Sequence, residues 1–190
     1  MRPVLIILGV LALLALAVGG PAVNSFNGLT AKRNAIEGAW ANVDVALQRR
    51  SDLIPNLVET AKGYAAQEKD VYLGIANARA ALSGAKTPTD KLAANGELDR
   101  ALSRLLVLLE AYPQLKSNEN FLRLQDELAG SENRIAVERR KYNDTVQDYN
   151  TSREQFPANI VAGIFGFARN DAYFKADPGA RQAPKVDFKK

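Results

Sequence analysis

This sequence encodes an all-α protein, an antiparallel four-helix bundle set behind one N-terminal transmembrane helix. Val4 to Val18 is a run of fifteen residues without a charge, the kind of stretch that seeks lipid or a leader role. Four later segments repeat apolar side chains at alternating spacings of three and four, which lines one face of a helix. No segment alternates apolar and polar residues at period two, and the Gly/Asn hairpin dipeptides that join strands are missing. The chain divides into a membrane segment over 1–23, a helical bundle over 24–156, and an apolar, then basic, tail over 157–190.

The uncharged stretch continues past Val18 as far as Ala31, and Lys32 is the next ionised side chain. Val4 to Val23 supplies twenty mostly apolar residues. At about 1.5 Å per residue they span a hydrocarbon layer of roughly 30 Å. Gly19, Gly20 and Pro21 weaken the last turn. A cleaved signal peptide, with Ala15-Leu16-Ala17 as its small-residue site, is the rival to an uncleaved anchor. Arg2 and the α-amine precede the span, so the positive-inside rule puts the N-terminus in the cytoplasm and the bundle outside, on a single-pass protein of the cell membrane.

In the first helix, Phe26, Leu29, Ile36, Trp40, Val43 and Leu47 form the apolar stripe. Arg49 and Arg50 suit the negative end of a helix dipole, Ser51 or Asp52 suits a cap, and Pro55 suits a first turn. A break there is the expectation. The alternative is one continuous helix kinked at Pro55, which would leave three elements and carry Phe156 far from the membrane. The second stripe is Ile54, Leu57, Ala61, Tyr64, Val71, Ile75, Ala78 and Leu82, ending at Ser83-Gly84. Thr89 or Asp90 then caps a third helix running to about Tyr112, apolar almost all round between Ala101 and Leu109. The fourth helix, about Asn118 to Gln155, carries Phe121, Leu124, Leu128, Ile135, Tyr142 and Tyr149.

Composition narrows the chemistry. There are 25 Lys+Arg against 21 Asp+Glu, no Cys and no His. A disulfide, a thiolate nucleophile, a Cys zinc site and a lipidated Cys are thereby excluded. The commonest general base, transition-metal ligand and pH switch are missing as well. No phosphate loop, nucleophile elbow or dinucleotide loop is present. The basic excess is small and mixed-sign, which argues against nucleic acid as a partner. The expectation is a non-enzyme with no catalytic residue, no cofactor and no metal.

Three blocks of residues carry a likeness to known proteins. The first is Phe26-Asn27, Leu29, Arg33-Asn34, Ala39-Trp40, Val43 and Leu47, running into Arg49-Arg50-Ser51-Asp52-Leu53-Ile54-Pro55-Asn56-Leu57-Val58-Glu59-Thr60 and Lys62-Gly63-Tyr64. The second takes in Ala111-Tyr112-Pro113, Phe121, Glu132-Asn133-Arg134-Ile135-Ala136, Arg139-Arg140, Tyr142-Asn143 and Tyr149-Asn150. The third has Phe156-Pro157, Phe165-Gly166-Phe167, Tyr173-Phe174 and Pro184-Lys185-Val186-Asp187-Phe188. In these the chain resembles the LemA family of bacterial membrane-anchored proteins. The resemblance implies an up-and-down four-helix bundle behind one N-terminal segment, and it brings no established catalytic residues or cofactor.

Two sets of residues stand out as candidate sites. Asp52, Asn56 and Glu59 share a helical face, and Glu132, Asn133, Arg139 and Tyr142 supply groups for a buried polar network. Helix-start chemistry is the plainer account of the first set, with Asp52 as cap and Glu59 toward the positive end of the helix dipole. In the tail, Ile160, Ile164, Phe165 and Phe167 are candidates for the membrane interface, with Arg169, Lys175, Arg181, Lys185, Lys189 and Lys190 against anionic headgroups. The alternative is that this segment caps the open end of the bundle. The partners implied are the lipid bilayer and a second copy or another membrane protein, for which the apolar Ala101–Leu109 segment is suited. The function expected is a non-enzymatic interaction or scaffold protein of the bacterial envelope. The alternatives are an acidic bundle that binds a cation or ligand, and an accessory subunit of a membrane protease.

Overall fold

The computed structural model describes residues 2–174 and is all-helical, with no strand among the described residues. Of the tail's basic residues only Arg169 falls inside this range; Lys175, Arg181, Lys185, Lys189 and Lys190 lie outside it. Helix α1 is Arg2–Lys62, 61 residues with Pro21 and Pro55 in its interior. At standard rise it is roughly 90 Å long. It is followed by α2 (Lys69–Gly84), α3 (Pro88–Leu108), a 3-10 turn Leu109–Ala111, a single-turn α4 (Pro113–Lys116), α5 (Glu119–Glu154) and α6 (Ala158–Phe165).

The break expected at Arg49–Asp52 does not occur. The stripe on α1 runs through it without interruption, with Val43, Leu47, Arg50, Ile54, Leu57 and Ala61 all buried. Pro55 lacks the N–H that would bond the carbonyl of Ser51. Arg79 of α2 supplies the missing donor, its Nε lying 3.0 Å from the Ser51 oxygen. A defect that would cost a helix about 3 kcal/mol is thus offset by a neighbour. The turn comes instead after Lys62-Gly63, over 63–68, where Tyr72 Oη donates to the Ala65 carbonyl at 3.0 Å. Asp52 is therefore a mid-helix residue and not a cap.

A continuous α1 does not carry the end of α5 away from the N-terminal apolar segment: α2 and α3 pair as a hairpin, α5 returns along α1, and α6 meets α1 at Phe26. Contacts between α1 and α5 run in opposite sequence order: Lys32 with Asp148 at 2.5 Å, Trp40 with Tyr142 at 5.8 Å between rings, Arg50 with Glu132 at 2.8 Å; just past the end of α1, Tyr64 meets the α5 cap Asn118 at 2.9 Å. The pair therefore has a proximal end near Phe26 and a distal end near Lys62. The hairpin lies along the distal part of α1, where Lys91 pairs with Asp44 and Arg50 donates to Asn95.

Local signals set the remaining boundaries. Thr87 rather than Thr89 or Asp90 caps α3: its Oγ1 accepts from the Asp90 N–H at 3.1 Å and donates to the Asp90 carboxylate at 2.7 Å. That leaves Pro88 at the first helical position, where it needs no donor. The Asn118 side chain caps α5 by accepting from Phe121 N–H at 3.0 Å. Of the apolar Ala101–Leu109 stretch, Leu102 and Leu105 are buried, while Leu106 and Val107 remain exposed.

Two cores result. The distal one gathers Ile54, Leu57 and Ala61 of α1 with Ile75, Leu98, Leu105, Leu115 and Phe121. The proximal one joins Leu29, Ile36, Val43 and Leu47 to Ile135, Tyr142, Val146, Tyr149, Ala162 and Phe167.

Candidate functional site

At the proximal end α6 packs against both α1 and α5. Its inner flank, Val161 and Ala162, is buried. Its outer flank is not: Ile160, Ile164 and Phe165 are 53%, 72% and 60% exposed, and Phe156 beside them is 79% exposed. Phe165 meets the ring of Phe26 edge-on at 5.0 Å. Phe167, the fourth candidate for the membrane interface, does not join the outer flank, being only 4% exposed. Gly166 is the cause. It sits at φ 71°, ψ 31°, a left-handed conformation that glycine adopts without Cβ strain, and Phe167 N–H bonds back to the Ala162 carbonyl at 3.0 Å. The chain reverses there, and the Phe167 ring turns inward between Phe26, at 5.4 Å, and the guanidinium of Arg33, at 5.4 Å.

From Phe167 the chain climbs back along α5 as an irregular strap over 167–174. Arg153 Nε donates to the Phe167 carbonyl at 2.7 Å and Tyr149 Oη to that of Ala168 at 2.8 Å. Asn150 then treats Asn170 as a strand partner, donating to its carbonyl at 2.7 Å and accepting from its N–H at 3.0 Å. Asn143, two helical turns earlier, does the same for Phe174 at 2.9 Å in both directions. The strap ends with Phe174 stacked on Trp40, edge-on to Tyr142, and under the Arg139 guanidinium at 5.3 Å. Burial raises the pKa of Tyr142 and lowers that of Arg139. For Arg139 the carboxylates of Glu132 and Asp99 oppose the shift, and the charge of Arg50 adds to it.

A charged cluster occupies the junction of the two cores. Arg50 is buried, and its Nη1 lies 2.5 Å from Asp99, 2.8 Å from Glu132 and 3.2 Å from Asn95 Oδ1. Asn95 in turn donates to Asp99 at 3.1 Å. The carboxylate contacts to Arg50 are ionic rather than aligned hydrogen bonds, and Arg50 Nε has no protein partner among the described residues. A cleft of about 350 Å³ opens beside the cluster, with Leu57, Leu102, Leu106 and Leu128 as its apolar walls. The cluster joins α1, α3 and α5 at one level through a shared cation.

Of the residues expected in a polar network, Glu132 is in this cluster and Arg139 is coupled to it through charge. Tyr142 sits instead in the aromatic group, and Asn133 is exposed. Asp52, Asn56 and Glu59 share an exposed face: Asp52 accepts from Gln48 Nε2 at 2.8 Å, and the Asn56 carbonyl accepts from Thr60 Oγ1 at 2.8 Å. No group of three or more acidic side chains is placed to share a metal ion among the described residues. Sequence reasoning missed Arg50, Asn95, Asp99 and the two strap-binding asparagines. Signals existed for some of them. Arg50 continues the spacing Val43, Leu47, Arg50, Ile54, Leu57, and Tyr-Asn recurs at 142–143 and 149–150.

Comparison with known proteins adds a family. The model of the LemA family matches residues 39–188. "Magnetosome protein MamQ 2" of Paramagnetospirillum magneticum is 28% identical over 73% of the chain and 60% of its own length. "Magnetosome protein MamQ" of Magnetospirillum gryphiswaldense is 25% identical over 93% of the chain and 74% of its own length. "Protein LemA" of Metamycoplasma hominis is 26% identical over 72% of the chain and 63% of its own length. The chain thus spans about 60% of the length of the first of these relatives.

Proposed function

This chain belongs to the LemA family, and from that premise we propose that it is a membrane-anchored, non-enzymatic scaffold of the bacterial envelope. In this reading the helices form an antiparallel four-helix bundle held at the bilayer by one transmembrane helix. One observation carries it. The apolar window of α1 has 0% of its residues buried, yet the same helix continues, without a loop, into the distal core. Each large apolar side chain left in water forgoes roughly 1.5–3 kcal/mol of burial. A row of them on a rigid rod is therefore a liability in solution and an anchor in lipid. Arg2 before the span and no charge until Lys32 support an N-terminus in the cytoplasm with the bundle on the outer side. The exposed pair Leu106 and Val107 offers a place for a second copy or another membrane protein.

The test is fractionation of cells making the intact chain, with its N-terminus read by mass spectrometry. The expected result is full-length protein retained in membranes through an alkaline carbonate wash, and release of a variant lacking residues 2–23. Full-length protein in the soluble fraction would overturn the anchor, and a clipped N-terminus would convert it into a cleaved leader. Crosslinking in intact cells tests the scaffold role, since a scaffold must yield a reproducible self- or partner-adduct.

A further inference from the structure

We infer that α6 is a second membrane contact, its outer flank of Ile160, Ile164 and Phe165, with Phe156, seated in the lipid interface beside the anchor. The inference rests on the membrane reading of α1 and goes beyond it: the bundle is held at two points and cannot swing freely about one helix.

Position is the first argument. Between the end of the apolar span at Val23 and the contact residue Phe26 the chain is continuous α-helix. Three residues of helix rise about 4.5 Å, so there is no linker whose slack would let α6 drift away. Phe165 touches Phe26, which fixes α6 at the depth where interfacial helices bury their apolar face, about 5–10 Å into the headgroup–acyl boundary.

Chemistry is the second. Residues 156–168 contain no ionisable side chain. The inner flank of α6 already covers the end of the proximal core, so the outer flank is surplus to folding. Ionised groups begin just above it: Lys32 with Asp148, Arg33 over Phe167, and Arg169 with Glu154 and Asp171. An apolar face below and a belt of charge above is the polarity of a lipid–water boundary. Arg169 and Lys32 are already paired with carboxylates of this chain, so the contact draws on apolar burial and needs no anionic lipid.

The chain has no Cys, which makes single-site labelling clean. Three variants of the full chain, Val18→Cys, Ile164→Cys and Val107→Cys, each carry an environment-sensitive fluorophore in phosphatidylcholine vesicles. Spin-labelled lipids quench at a shallow or a deep position. All three sites are well exposed, so the label does not disturb packing. Val18 is expected to be quenched best by the deep label, Ile164 by the shallow one, and Val107 by neither. A tenfold rise in salt leaves the Ile164 signal unchanged. Ile164 as water-like as Val107, with Val18 quenched, overturns the second contact and spares the anchor. Ile164 shielded from water but untouched by either lipid label also overturns it, because protein then covers the flank. If Val18 too is unquenched, the anchor itself has failed.

Discussion

On the distal side of Arg50, α1 is covered by helices; on the proximal side it is covered by α5, the short α6 and an irregular strap. The two cores differ accordingly. The distal one is built mainly from Leu, Ile and Ala around Tyr72 and Phe121, whereas the proximal one draws on Trp40, Tyr142, Tyr149, Phe167, Tyr173 and Phe174. The hairpin of α2 and α3 accounts for the difference. It runs out near Asp44, where Lys91 pairs, and two helices alone cannot bury both of their stripes. The chain's own tail fills the gap. A strap without secondary structure brings unpaired N–H and C=O groups with it, and Asn143 and Asn150 each bond one such residue through both amide atoms. One half is periodic packing, and the other is packing completed by specific hydrogen bonds.

The largest expected effect tests whether these halves unfold together. Phe121→Ala removes a ring that is 0% exposed in the distal core, at a cost of about 4 kcal/mol. Trp40 is the chain's one tryptophan and lies in the proximal half. Urea unfolding followed by Trp40 fluorescence and by circular dichroism should give coincident transitions, both shifted, if the halves cooperate. A Trp40 transition that stays put would show two separable units.

Arg50→Ala strikes the junction between them. It leaves Asp99 and Glu132 facing each other without their shared cation, and losing one partner of a buried pair costs about 3 kcal/mol, here toward the low end because both carboxylates are partly exposed. The same urea titration measures it, and the Trp40 and circular dichroism transitions should lose coincidence more readily than in Phe121→Ala.

Much of this arrangement was legible. The fourth helix, expected from the sequence over about Asn118 to Gln155, is Glu119–Glu154 with Asn118 as cap, because its stripe is long and its cap residue unambiguous. The sequence misplaces the turn after α1 because Arg49-Arg50, Ser51-Asp52 and Pro55 imitate a stop and a start, while the apolar spacing from Ile54 runs through Tyr64 to Leu82 and so conceals the real stop at Lys62. That error hid the Arg50 cluster, since Arg50 faces the core only if the helix does not end there. For residues 157–167 the sequence offers two readings, seating at a membrane interface or capping the open end of the bundle, and no helix; Val161, Ala162 and Phe167 are buried against the proximal core, while Ile160, Ile164 and Phe165 are exposed. The strap itself has no periodicity to read, and its partners are side-chain amides bonding backbone.

A smaller effect isolates the proximal half. Asn150→Ala deletes two reciprocal bonds to Asn170 and one to Tyr173. Leaving those partly buried backbone groups unpaired costs about 2 kcal/mol. Hydrogen exchange should quicken across 167–174 while α2 and α3 keep their protection. Equal quickening in both halves would mean the strap is an integral part of one cooperative core.

The smallest effect at neutral pH separates the halves by their buried phenols. Tyr142, proximal, is held above its ordinary pKa by burial alone; Tyr72, distal, is raised by burial and then by the charges of Glu68 and Tyr112. An unfolded tyrosine titrates near 10. Above that pH the unfolded chain has released protons that the folded chain still holds, so stability falls as pH rises. Each phenol's contribution is complete below about pH 10 and disappears as pH climbs through the raised folded value. Tyr142→Phe keeps the ring against Trp40 and Phe174 and removes the titrating group. Its urea midpoint, read at Trp40, should match the parent at pH 7 and exceed it above about pH 10. Tyr72→Phe also loses the bond to Ala65, about 1 kcal/mol already present at pH 7, before gaining the same alkaline advantage. Parent and variants share every other ionisable group, so those contributions cancel from the comparison. A Tyr142→Phe midpoint that falls in parallel with the parent would show that water reaches the phenol, and that the proximal core is looser than its aromatic packing implies.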